Sequence, residues 1–335
     1  MKIIVFEVEE WERRTFERLK TKHEIEFVNE LLNMENVKQY ADAEAVSPFI
    51  YSDLSADVLK NLRRLKLIAT RSTGFDHIDL DYCKKNNITV CNVPVYGDNT
   101  VAEHVFGLLL AISHNLIAAV DRTRRGDFSQ TGLQGFDLLG KTLGVIGTGS
   151  IGQCVIEIAK GFRMNVVASD VRQNEELASS LGFSYLTMDE LLATSDIITL
   201  HVPSNEKTRN LISGEAFAKM KDGVVLINTA RGDIVDVKAL VKAIADGKVA
   251  AAGLDVLPEE SVIREEAELL YSVYRKKCVL DTLLANHILL RLRNVIITPH
   301  SAFNTREAVE RILNTTVENI ISFINGEPKN IVVKK

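Results

Sequence analysis

Short, unbroken apolar runs alternate with helical stretches along almost the whole chain, and this rhythm limits the possible folds more than any other feature. The runs KIIVF, KLIAT, ITVCNV, LGVIG, NVVASD, IITLHV, GVVLINT, AAGLDV and NVIITP lack the polar alternation of a half-exposed strand. Continuous apolar strands belong to parallel sheets covered on both faces. Helical segments over 102–122, 153–163 and 237–246 fall between them. Strand–helix alternation predicts an α/β fold of doubly wound parallel sheets. A chain of 335 residues exceeds the usual size of one core, so two domains are expected.

Composition narrows the function. Charged residues make up 25% of the chain and the formal net charge is only −5, so no polyanion-binding block stands out and a nucleic-acid partner is not expected. The opening MKIIVFEVEEWERR turns acidic after a few apolar residues and reads as a first strand, not a signal peptide. The apolar stretch from Val105 to Val120 is interrupted by Ser113, His114 and Asn115 and falls short of the roughly 20 residues of a bilayer span, so no membrane role is expected. Cys83, Cys91, Cys154 and Cys278 have neither metal-like nor redox-like spacing. They read as reduced thiols of a cytoplasmic protein without a metal site.

The run Leu143 to Ile146 leads directly into GTGSIG (Gly147 to Gly152) and a helical stretch. In such a turn Gly147 permits the tight bend, Gly149 lets the backbone approach a pyrophosphate, and Gly152 lets helix and strand pack closely. The helix start offers unpaired N–H groups and the positive end of its dipole to that phosphate. The next strand ends at Asp170, about 20 residues on, where a carboxylate can accept from both ribose hydroxyls. A 2′-phosphate beside that carboxylate would be repelled, which favours NAD over NADP; Arg172 nearby is the feature that argues the other way.

Three further strand ends carry groups suited to reducing a 2-keto acid. Arg231 follows VVLIN, and its planar fork can hold a carboxylate through two parallel hydrogen bonds. Glu259 and Glu260 follow AAGLDV, and His300 follows NVIIT. Histidine is the natural proton donor near neutral pH, and an adjacent acid would keep it protonated. His201 also ends a strand but has no matched acid, and is expected to be structural.

These stretches, with RSTGFDHIDL, NVPVYGDNTVAEHVFGLLL, LHVP, MKDGVVLINTARG, GLDV and ITPHSAF, resemble the D-isomer-specific 2-hydroxyacid dehydrogenases over essentially the whole chain. Tyr96 and the HSAF after the last strand look most like the D-lactate dehydrogenases of that family. The resemblance implies Arg231, Glu260 and His300 as the catalytic group, with Glu260 as the partner acid of His300. It implies substrate contacts at Thr73, Gly74, Tyr96 and Phe303. NAD contacts are implied at Gly147, Gly149, Ser150, Ile151, Gly152, Asp170, Val202, Pro203, Thr208, Thr229, Ala230 and Asp255. It further implies a Rossmann-type cofactor domain over 101–299, inserted in a flavodoxin-like substrate domain formed by 1–100 and 300–335. The expected substrate is a small 2-keto or 2-hydroxy acid, most simply pyruvate and D-lactate. Hydroxypyruvate, glyoxylate or a bulkier keto acid is the runner-up. A homodimer is implied as well, with the helix over 102–120 apolar on more than one face, as either an interface or a buried helix would be. Transcriptional corepressors of the same superfamily, which use NAD as a structural signal, supply an alternative of another class. The stretch 261–294, with no clear strand, reads as a helical excursion longer than in many relatives.

Overall fold

The computed structural model describes residues 1–20, 22–258 and 277–333. Its strands, in chain order, are β1 (Lys2–Val5), β2 (Glu24–Phe27), β3 (Ala45–Ser47), β4 (Leu67–Ala69), β5 (Thr89–Cys91), β6 (Thr142–Ile146), β7 (Asn165–Ser169), β8 (Ser184–Tyr185), β9 (Ile197–Leu200), β10 (Val224–Asn228), β11 (Val249–Leu254), β12 (Val295–Ile297) and β13 (Ile331–Val333). They fall into two compact units, one of residues 1–97 with 304–335 and the other of residues 98–303.

The 98–303 unit holds a parallel sheet in the order β12-β11-β10-β9-β6-β7-β8. The chain winds outward from β6 through β7 to β8, then returns to the other side of β6 as β9. Strand order therefore reverses between β6 and β9, the position at which a doubly wound sheet opens a crevice beyond its strand ends. β10 shows why its sequence is apolar throughout. Val224 and Leu226 enter the core on one face, and Val225 and Ile227 the core on the other. Burying each such side chain contributes about 1.5–3 kcal/mol, so polar alternation would cost stability on one face or the other.

The other unit has the order β2-β1-β3-β4-β5-β13, with its own core around Ile4, Val46, Ile68 and Val90. Its strands are parallel except β13, which pairs antiparallel with β5. This is the flavodoxin-like order with one antiparallel strand added at the edge. Here the reversal falls between β1 and β3. The helix Arg306–Ile324, capped by Thr305, packs on β4. Its buried Asn319 donates to the Asn92 carbonyl and accepts from Asn330, tying helix, β5 and β13 together.

The apolar-run reading misses β2, β3, β8 and β13. β2 is an edge strand with alternating exposure and two glutamates, and β3, β8 and β13 are two or three residues long. The single helix expected over 102–122 is two helices, Asp98–Ser113 and Leu116–Arg124, bent by 62°. Asn115 makes the break with φ +50, a left-handed conformation that asparagine tolerates, and its amide donates to the carbonyls of Leu133 and Gln134. Among the described residues no single helix is long and apolar enough to cross a membrane; that bent pair has the length and composition only when taken together. The described part of the 261–294 stretch contains the helix Lys277–Leu289.

Candidate active site

At the reversal between β6 and β9, Gly147 takes φ +97, and a Cβ there would lie 2.6 Å from the His201 carbonyl oxygen. A Cβ on Gly152 would lie 2.1 Å from the Gly147 oxygen, so the helix Ser150–Gly161 can start this close to β6 only with glycine at that point. Gly149 differs: nothing stands within 4 Å of its missing Cβ. It is the N-cap of the helix and supplies no side-chain cap, which leaves the first N–H groups of the helix uncapped by a side chain. Ser150 and Ile151 open that helix.

Asp170, just beyond β7, is fixed by its neighbours. One carboxylate oxygen accepts from the Thr148 N–H at 2.7 Å and the Thr148 hydroxyl at 3.1 Å, and the other accepts from the Arg172 N–H at 2.8 Å. Tyr185 on β8 meets the same hydroxyl at 2.9 Å. Partial burial opposes the charge, but these donors outweigh it and hold the carboxyl below its ordinary pKa. An ionised acid is thereby set beyond the glycine turn, where a ribose is expected.

The strands on the other side of the reversal bring more groups to the same edge. Val202 and Pro203 follow β9, and Thr208 closes their loop by donating to the Pro203 carbonyl. After β10, the Asn228 side chain accepts from the Ala230 N–H and donates to the Arg231 carbonyl, folding 228–231 into a tight turn. Thr229 is buried in that turn, and its hydroxyl has no partner among the described residues. A Cβ on Gly232 would lie 2.1 Å from the Leu257 carbonyl carbon, so glycine alone lets the Arg231 turn pass against the segment after β11. An open glycine turn, a fixed acid and an orphaned hydroxyl, all at carboxyl strand ends of one sheet, fit the two ends of a dinucleotide.

His300 sits beyond β12 with φ +52, a conformation that a residue other than glycine holds only when its surroundings impose it. Asp255 imposes it. The His300 N–H donates to the Asp255 carbonyl at 2.9 Å. The Asp255 carboxylate, 1% exposed, accepts from the Thr298 hydroxyl, the Ser301 N–H and the Ala302 N–H. His104 completes the group, 3.0 Å from the Thr298 hydroxyl and 3.4 Å from Asp255. The described hydrogen bonds of the Asp255 carboxylate, a residue expected from the sequence to touch the cofactor, run to the His300 loop. Phe303 ends this segment. Glu260 lies outside the described residues.

Thr73, Gly74 and Tyr96 belong to the other unit, at the carboxyl ends of β4 and β5. The Thr73 hydroxyl donates to the Val93 carbonyl at 2.7 Å, and the Asn92 amide donates to the Thr73 carbonyl at 2.8 Å. Those bonds hold the loop while the Thr73 and Gly74 N–H groups have no backbone acceptor among the described residues. His201 is held by Thr199 at 2.9 Å, and burial pushes its imidazole pKa down to about 3. It stays neutral where a proton donor must be charged. Burial also pushes the thiols of Cys83 and Cys91 up, to about 12 and about 11.

Sequence reasoning passed over His104, Phe49 and Tyr51. His104 looked like one more helical histidine, because its partner lies about 150 positions away. Phe49 and Tyr51 follow β3, a strand too short to be seen, so nothing marked them as strand-end residues.

A dinucleotide turn with its acid, and an arginine and a histidine at further strand ends of the same sheet, define a nicotinamide-dependent dehydrogenase. Residues 106–302 match the family model described as D-isomer specific 2-hydroxyacid dehydrogenase, NAD binding domain. The chain belongs to that family and is an NAD-dependent oxidoreductase. It is 37% identical over 338 residues to a 2-hydroxyacid dehydrogenase homolog of Haemophilus influenzae, covering 99% of each chain. It is 34% identical over 331 residues to the D-lactate dehydrogenase of Escherichia coli K12, covering 98% of each. The solved D-lactate dehydrogenase of Aquifex aeolicus, complexed with NAD and lactic acid, superposes with a TM-score of 0.88 at 37% identity, covering 99% of each chain.

Proposed function

We propose that the chain interconverts pyruvate and D-lactate, with residues 101–299 as the cofactor domain and residues 1–100 with 300–335 as the substrate domain. Bound NADH supplies the hydride. The Arg231 guanidinium holds the substrate carboxylate and polarises the ketone, drawing electron density from the carbon that is attacked. The Thr73 and Gly74 N–H groups and the Tyr96 hydroxyl share the carboxylate. His300 delivers the proton to the ketone oxygen, with Glu260 as its partner acid. In the reverse direction neutral His300 takes that proton back. Phe303 walls the substrate side chain.

The observation that carries this reading is the His300 loop. A buried carboxylate is spent on holding one histidine in a left-handed conformation beside the strand whose neighbour presents Arg231, an arrangement that stability alone does not require. Asp255 therefore acts as a positioning residue. Among the described residues Cys83, Cys91 and Cys154 are free and buried or half-buried, which fits work in a reducing compartment, the cytoplasm.

The helix Asp98–Ser113, a candidate interface by sequence, is largely buried within its own unit. Leu116, Ile117, Val120 and Phe128 are instead exposed in succession beside a groove of about 1250 Å³ in the same unit. We assign that face to a second copy of the chain, since four exposed apolar side chains within one short stretch are what a subunit contact would cover.

The test is NADH consumption over pyruvate, hydroxypyruvate, glyoxylate, phenylpyruvate and branched keto acids, with chiral analysis of the product. Pyruvate giving D-lactate with the highest kcat/KM supports the proposal. A preference for glyoxylate or hydroxypyruvate moves the substrate and keeps the chemistry. An L product, or no turnover of any keto acid, overturns it.

A further inference from the structure

A second buried assembly occupies the other sheet's reversal point, between β1 and β3. Glu7 follows β1 with φ +52, a costly conformation for glutamate. Its carboxylate accepts from the backbone N–H of Phe49 at 3.0 Å, of Tyr51 at 3.0 Å and of Ser52 at 3.2 Å, and from the Ser52 hydroxyl. The loop after β3 is thus wrapped around one side chain from β1.

Arg71 holds Glu7 in that conformation. Its guanidinium is 2% exposed, and one nitrogen donates to the carbonyls of both Phe6 and Glu7, at 2.6 and 2.7 Å. The other terminal nitrogen lies 3.7 Å from Glu12. The Arg71 N–H donates to the Pro48 carbonyl at 2.9 Å, and its guanidinium carbon lies 6.0 Å from the Phe49 ring centre. Arg71 also leads directly into Ser72, Thr73 and Gly74. One buried hub therefore fixes both the carboxylate-holding loop and the segment carrying Phe49 and Tyr51.

Those two rings meet edge to face, 5.8 Å apart, and both remain partly exposed. A device whose purpose was burial would have covered them. It fixes the loop with four hydrogen bonds to a carboxylate, two of them from the Phe49 and Tyr51 N–H groups, and leaves both rings partly exposed beyond the carboxyl end of β3. We propose that Glu7 is a positioning residue that holds the Phe49–Tyr51 pair as the wall reading the side chain of the 2-keto acid beyond C3. This inference rests on the proposed keto-acid reduction and adds the device that sets its selectivity.

The experiment compares the full-length chain with Glu7→Gln, Glu7→Gly and Phe49→Leu on pyruvate and phenylpyruvate, alongside NADH affinity and amide exchange at Tyr51 and Ser52. Glu7→Gln is expected to raise KM for the preferred acid about tenfold with kcat within twofold, and to narrow the preference between the two acids about tenfold. Glu7→Gly, which removes the backbone cost as well as the carboxylate, is expected to do the same with no loss of thermal stability beyond that of Glu7→Gln. Both should speed exchange at Tyr51 and Ser52 and leave NADH affinity unchanged. Combining Glu7→Gln with Phe49→Leu should give no further loss of selectivity, since both act through one wall. Unchanged KM and preference in both Glu7 variants overturns the inference, as does a fall of kcat and NADH affinity in step with stability. A wild-type chain inert toward every keto acid, with exchange still released by Glu7→Gln, defeats the proposed function while leaving the clamp intact.

Discussion

The carboxyl ends of β6 and β12 in the nucleotide-binding sheet are organised in opposite ways. At β6 the chain does everything locally: turn, helix start and open backbone lie within Gly147–Gly152, and the acid that completes the site is one strand further on. At β12 the deciding contacts are long-range. His300 adopts its conformation because Asp255 reaches it across some 45 positions, and Arg231 is presented by a turn that closes only because Gly232 admits Leu257. The first end must receive a constant ligand, so open backbone and one fixed acid suffice. The second must aim a side chain, so it is held from several sides at once.

Removing the pin should produce the larger effect. Asp255→Ala leaves the Ser301 and Ala302 N–H groups buried without acceptors, a loss of roughly 2–4 kcal/mol. Turnover should fall at least tenfold more than the NADH affinity, measured by urea unfolding, fluorescence titration and steady-state kinetics. Equal turnover in wild type and variant would show that the His300 loop holds itself. Asp170→Ala, at the local end, should leave kcat nearly unchanged, weaken NADH several-fold and narrow the gap to NADPH. An unaltered cofactor preference would remove the acid from recognition.

The smallest effect is in acid. The folded-state pKa of Asp170 lies below its unfolded value, so its contribution to stability is fully present above about pH 3.9 and is lost as pH falls through the folded value. Thermal melts of wild type and Asp170→Ala should therefore run parallel from pH 8 to 5 and converge only below about 4. Convergence nearer neutrality would mean that its partners do not hold it ionised.

This contrast also explains what the sequence makes legible. The two doubly wound sheets follow from unbroken apolar runs, because a strand covered on both faces cannot alternate. The glycine turn follows from spacing alone. Arg231 and His300 stand out as ionisable residues at strand ends, yet the support beneath His300 does not, since His104 and Asp255 act through folded proximity. β2 was invisible because an edge strand half in water carries glutamates. The break at Asn115 was hidden because an asparagine in a helical stretch gives no sign of which conformation it will take. Glu7 looked like one acid among several in an N-terminal run, and its role depends on a loop some 40 positions away.

In the proposed mechanism His300 delivers the proton while other residues hold the cofactor. The most direct test is a single comparison of His300→Ala with wild type, reading kcat for pyruvate reduction and the NADH dissociation constant on the same preparations. Turnover is expected to fall by roughly a hundredfold or more, as for loss of a general acid, with NADH affinity within twofold. Turnover retained within a few-fold, or lost only in proportion to NADH binding, would contradict it.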